Sequence, residues 1–84
     1  MNALQFAGLK VEIAEAYVVW AENTGTVAEA AYANRKYAKC LAMWYHLQGM
    51  AAEARIEYEN AAAFNRQWVA AVERQRRLEQ RINF

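Results

Sequence analysis

The chain has 84 residues, and its ten Lys and Arg against nine Asp and Glu leave a formal charge of +1, so bulk charge draws it neither to nucleic acid nor to a membrane surface. One cysteine excludes an internal disulfide and fits a reducing, cytoplasmic setting. No apolar stretch reaches eighteen residues, and the N-terminus lacks a basic segment followed by an apolar one, so neither a membrane span nor a secretory signal is expected.

Hydrophobic residues make up 57% of the chain and nineteen residues are alanine, while proline is absent. Alanine is the best helix former and proline the strongest breaker, so the composition predicts an all-α domain. Trp20, Trp44 and Trp68 stand 24 residues apart, and Gly25 and Gly49 keep the same interval. A spacing of this kind predicts similar helical segments divided by glycine turns. Eleven aromatic residues in so short a chain predict an aromatic-rich core, burial against another chain, or both.

The first helix is expected over about 3–23. Asn2 can cap it, with Gln5 three residues on completing a capping box. Gln5, Glu12, Glu15 and Glu22 share a polar face, which reads as solvated rather than as paired acid–base carboxylates. Opposite lies a wide apolar arc: Leu4, Val11, Ala14, Val18 and Ala21 on one edge, and Phe6, Ile13, Tyr17 and Trp20 on the other. An arc this wide predicts a helix packed between two others or against a second chain. Gly25 is expected to end it in the left-handed conformation, and Thr26 with Glu29 to open the next helix as a capping box.

The second helix is expected over about 27–47, with Ala30, Tyr37, Leu41, Trp44 and Leu47 on its apolar face. Arg35, Lys36 and Lys39 form a short basic cluster with Tyr32 one turn away, a candidate anion site for a nucleotide or nucleic acid that a second subunit could complete. The plainer reading is a solvated face paired with glutamates of a neighbouring helix. Cys40 and His46 lack further ligand partners, so neither a metal nor a cofactor is expected. Cys40 reads as a small core residue and His46 as solvated. Without a nucleophile–base, metal or phosphate-loop constellation, the chain does not read as an enzyme.

Gly49 marks a second boundary, although no capping residue follows it. Two arrangements stay open there: a turn, or one continuous helix over 27–82. With the turn, the third helix spans about 51–82, an antiparallel three-helix bundle or hairpin in which Trp20 and Trp68 lie near one end and Trp44 near the other. The tryptophans, at apolar-face spacing, read as core. From about Glu73 the third helix runs past the first by ~15 Å. Leu78, Ile82 and Phe84 are then left uncovered, with Arg74, Arg77 and Arg81 around them, and Glu73 and Arg77 suit an i,i+4 pair. Together with Trp68, these residues are the expected contacts for self-association or a docking partner, and removal of residues 74–84 is expected to abolish self-association while leaving most helicity.

Leu41, Ala42, Tyr45, Gly49, Ala54, Tyr58 and Ala61 stand in the order and spacing of a tetratricopeptide helix hairpin. The resemblance covers residues 35–64 and implies a tight helix–turn–helix with Gly49 in the turn. It stops there: no proline closes the unit, Ala38 stands where a large aromatic is usual, and the internal interval is 24 rather than about 34 residues. Gly25-Thr26-Val27 after a first helix, and the charge-rich ending from Glu73 to Asn83, resemble small helical accessory proteins of bacteriophages. That resemblance implies a viral protein with a non-enzymatic binding role, such as an inhibitor docking on a host protein.

Overall fold

The computed structural model describes residues 1–82, which form three α-helices: α1 (Ala3–Thr24), α2 (Val27–Leu47) and α3 (Ala51–Ile82). The all-helical expectation and the division into three are borne out. Asn2 and Gln5 form the reciprocal capping box, with Gln5 N–H donating to Asn2 Oδ1 at 2.8 Å and Asn2 N–H to Gln5 Oε1 at 3.1 Å. The box satisfies two of the amide donors that a helix start leaves unpaired.

The two turns work differently from one another. Gly25 is extended at φ −90°, ψ 177°, not left-handed as expected. Space, rather than backbone conformation, selects glycine here: a Cβ would stand 2.7 Å from the carbonyl oxygen of Ala21. Thr26 Oγ1 then accepts from Glu29 N–H at 3.1 Å, the one half of the expected box that forms. Gly49 is the left-handed residue, at φ 75°. Gly49 N–H donates to His46 O and Met50 N–H to Tyr45 O, both at 3.0 Å, the bonding pattern of a Schellman cap. That cap ends α2, so the continuous helix over 27–82 does not form.

α2 is the middle helix and packs against both neighbours. The polar and aromatic pairs fix the antiparallel directions: Asn34 Nδ2 donates to Glu22 Oε1 across α1 and α2, and Arg35 Nη1 to Asn65 Oδ1 across α2 and α3. No Cα of α1 lies within 8 Å of a Cα of α3 among the described residues. The expectation that α1 lies between two others is therefore corrected: α1 is an edge helix, and the three form an open layer of 53 × 23 × 17 Å.

Alanine explains the layer. Among the described residues the buried ones are Ala7, Ala14 and Ala21 of α1, Ala31, Ala33, Ala38 and Ala42 of α2, and Ala54 and Ala61 of α3, with no large side chain fully buried. Seven-residue spacing keeps Ala7, Ala14 and Ala21 on one line, as it does Ala54 and Ala61. Methyl groups let helix axes approach to the short end of the usual ~8–10 Å. The expected aromatic core is thus overturned: alanines fill the contacts between the helices, and the large rings keep part of their surface in solvent. Trp20 is 52% exposed and Trp44 and Trp68 are half-buried, so none is a core residue. The pairing of ends does hold: Trp20 and Trp68 belong to one aromatic row, while Trp44 lies against Gly8 toward the other end.

Candidate interaction surfaces

One face of the layer carries an aromatic row that crosses all three helices. Trp20 stacks on Tyr17 at 6.0 Å, Tyr17 meets Tyr32 edge-on at 6.5 Å, and Tyr32 tilts against Trp68 at 6.0 Å. Arg35 is wedged into the row. Its guanidinium lies 4.9 Å from the Tyr32 ring and 5.0 Å from the Trp68 ring while Nη1 donates to Asn65 Oδ1 at 2.6 Å. The delocalised planar cation suits ring faces that an ammonium would hold less well. Burial raises the Tyr17 pKa above the usual phenol range, with Glu29 and then Tyr32 adding to the shift.

The four candidate anion residues therefore separate. Tyr32 and Arg35 are engaged with Trp68 and Asn65, whereas Lys36 and Lys39 are exposed. Lys36 and Lys39 join Lys10 of α1 around a shallow groove that also exposes Cys40 and Met43. Lys10 was not among the sequence candidates; its partnership with the α2 lysines depends on the antiparallel register, which spacing within one helix does not reveal. Cys40 is half-buried beside these lysines rather than in the core. The expected pairing of the cluster with glutamates does not occur: among the described residues the ion pair present is Arg55–Glu59, at 3.9 Å and well exposed. An exposed pair of this kind contributes ~0–1 kcal/mol. The Glu73–Arg77 pair does not form either.

The opposite face is acidic and aromatic. Tyr37 of α2 lies within electrostatic reach of Glu15 of α1 and Glu57 of α3. Burial raises its pKa above the usual phenol range, and Glu15, Glu57 and Tyr45 push it in the same direction. Glu22, expected to be only solvated, accepts from Asn34 Nδ2 at 3.1 Å.

Beyond these faces α3 runs on alone. Every residue from Glu73 to Ile82 is exposed, with Leu78 at 50% and Ile82 at 81%. Arg74, Arg77 and Arg81 are exposed on the same segment. Arg74 and Leu78 border an open depression of about 710 Å³ between the segment and the start of α2, floored by Val27, Ala70 and Ala71. Trp68 lies outside this overhang, on the aromatic row. Phe84 falls outside the described residues. His46 is exposed and lines a separate shallow depression with Arg55, Tyr58 and Glu59. Among the described residues no three His, Cys, Asp or Glu side chains gather as a metal site would need, and no helix is long and apolar enough to cross a membrane. No protein-family model, curated protein or solved structure matches the chain.

Proposed function

We propose that this chain is a non-enzymatic interaction protein that self-associates. The observation that supports the reading is the inversion of its apolar residues: among the described residues nine alanines are buried while sixteen large hydrophobic side chains are exposed. Scattered exposed apolar residues are ordinary, but here they include three of the largest side chains of α1 and two on the α3 overhang. Burying each such side chain is worth ~1.5–3 kcal/mol, so assembly supplies the stabilisation that the alanine lines cannot. Trp68, Leu78, Ile82 and Phe84 with Arg74, Arg77 and Arg81 are the residues proposed for contacts toward the α3 end. Sedimentation tests this. Deletion of residues 74–84, expected from the sequence to abolish self-association, is expected to lower the mass of the assembly without abolishing it, because Phe6, Ile13 and Trp20 of α1 are also exposed, while circular dichroism keeps the α1–α2–α3 helicity. An unchanged mass rejects the role of the overhang, and a full chain that stays monomeric up to ~100 μM, well above usual specific affinities, rejects self-association.

A second reading is favoured by the lysines. Lys10, Lys36 and Lys39 share a groove, and none has a carboxylate partner among the described residues. An anionic ligand, a nucleotide or nucleic-acid strand, would relieve their mutual repulsion. Binding of a labelled oligonucleotide at low salt is expected to weaken about tenfold in Lys39→Glu and to fall with added salt. Absence of binding at low salt removes this reading.

A further inference from the structure

The apolar stripe of α1, on the face of the layer that carries the aromatic row, is symmetric about its own centre. Phe6, Leu9, Ile13, Tyr17 and Trp20 stand at −7, −4, 0, +4 and +7 from Ile13. Ile13 is the most exposed of them at 62%; Phe6, Leu9 and Trp20 are exposed at 53%, 40% and 52%, and Tyr17 is half-buried. The stripe is separate from the line of Ala7, Ala14 and Ala21, so folding of one chain leaves Phe6, Leu9, Ile13 and Trp20 exposed, while Tyr17 meets Tyr32 of α2 edge-on. Regular alternation of +3 and +4 steps from Phe6 through Leu9 and Ile13 would place the fourth member at Ala16; Tyr17 occupies the position that makes the spacing palindromic.

We infer that the stripe is a two-fold self-docking surface, in which α1 of one copy lies antiparallel on α1 of a second with the axis at Ile13. This rests on the self-association proposed above and names its geometry. A two-fold interface presents the same patch from both subunits, so residues at +n and −n must complement each other. Here they do: Phe6 meets Trp20 of the second copy, Leu9 meets Tyr17, and Ile13 meets itself. At ~100° per residue, members at −7 and +7 lean ~20° to opposite sides of the stripe, and those at −4 and +4 lean ~40°. Paired side chains therefore pass beside one another instead of colliding. The charges agree. No charged residue lies on the stripe itself, and Lys10, already 5.3 Å from the Phe6 ring, stands one residue from the level of Tyr17 of the second copy, a further ring for its ammonium. An open groove of about 410 Å³ runs beside the stripe, lined by Phe6, Leu9, Ile13 and Tyr17 with Lys10 and Lys36, and it gives the second helix a bed. A second copy fits better than an acidic surface, because neither an acidic peptide nor a lipid headgroup layer requires mirror spacing along the helix.

Cross-linking in a Cys40→Ala background tests the register. Ile13→Cys is expected to form a disulfide-linked dimer under mild oxidation, while Val19→Cys, 57% exposed but on another side of α1, does not. A mixture of Phe6→Cys and Trp20→Cys chains is expected to cross-link heterotypically, with each alone remaining largely uncross-linked. Ile13→Glu is expected to raise the dimer dissociation constant by about 100-fold or more, since it places two carboxylates at the axis. In the chain lacking 74–84, assembly is expected to stop at this dimer. Equal oxidation of Ile13→Cys and Val19→Cys, or Phe6→Cys linking to itself, overturns the geometry. Assembly that survives Ile13→Glu overturns it and leaves self-association standing. A monomeric parent chain overturns both, and if Ile13→Glu then abolishes binding of that monomer to phosphatidylserine vesicles, the stripe belongs to a lipid surface instead.

Discussion

Replacing Ala42 by leucine is expected to lower the thermal unfolding midpoint by roughly 12–24 °C. Ala42 is 0% exposed and lies on α2 among the alanines of the helix lines. A leucine there must either leave its rotamer well or push the helices apart, and overpacking of this kind costs ~3 kcal/mol at the upper end of its usual range. For a domain of this size each kcal/mol moves the midpoint by ~4–8 °C. Ala33, also 0% exposed, belongs to the α1 side of α2 by helical spacing, and Ala33→Leu tests the other line in the same way. Ala16→Leu, at an exposed position of α1, serves as the control and is expected to change stability by less than about 0.5 kcal/mol. Melting followed by circular dichroism decides the matter; a shift under about 3 °C for Ala42→Leu would mean that the lines have room for branched side chains.

Arg35→Ala is expected to cost about 2 kcal/mol, or ~8–16 °C in midpoint. The change removes the cation from two ring faces at once and leaves Asn65 without its 2.6 Å partner. Each cation–π contact contributes ~0.5–2 kcal/mol depending on burial, and the two share one cation, so they do not add in full. Arg35→Lys is expected to restore less than half, because an ammonium cannot lie flat against both Tyr32 and Trp68. Tryptophan fluorescence should shift with the Arg35 substitutions, since Trp68 loses the group that covers it. If Arg35→Ala melts with the parent chain, Arg35 is not a clamp and is free to serve as the anion ligand its position in the basic cluster suggested.

The residues that stop and start helices were legible because their effects are local. Asn2 with Gln5, Thr26 with Glu29, and Gly49 act within a turn or two of their own position, and each lies at the boundary expected. Gly25 marked the right place for the wrong reason: the approach of Ala21 O depends on the path the chain takes out of α1, which glycine alone does not reveal. Burial was the larger misreading. Weighting side chains by apolar size points to Trp, Tyr and Leu as the core, whereas close approach of the helices selects the smallest apolar side chain. The heptad spacing of Ala7, Ala14 and Ala21 was present in the chain throughout, and it is the signal that separates a line of small residues from a surface of mere helix formers. At the candidate sites, Arg35, Lys36 and Lys39 read as one cluster because they share a helix. Their division, with Arg35 turned to α3 and the lysines joined by Lys10, follows from tertiary register. Leu78 and Ile82 were readable as uncovered from helix length alone, since α3 is ten residues longer than α1.

The layer is 17 Å deep, a few Å more than the ~10–12 Å of one helix with its side chains. Its two sides are, in effect, two bank shores without a lake between them: among the described residues only alanines are dried by the chain's own folding, and no large side chain is. A guest held on either shore keeps one flank hydrated, and its charges stay screened by high-dielectric surroundings. Tight, selective grip would then require a cover from outside the polypeptide, which the self-association proposed above would supply.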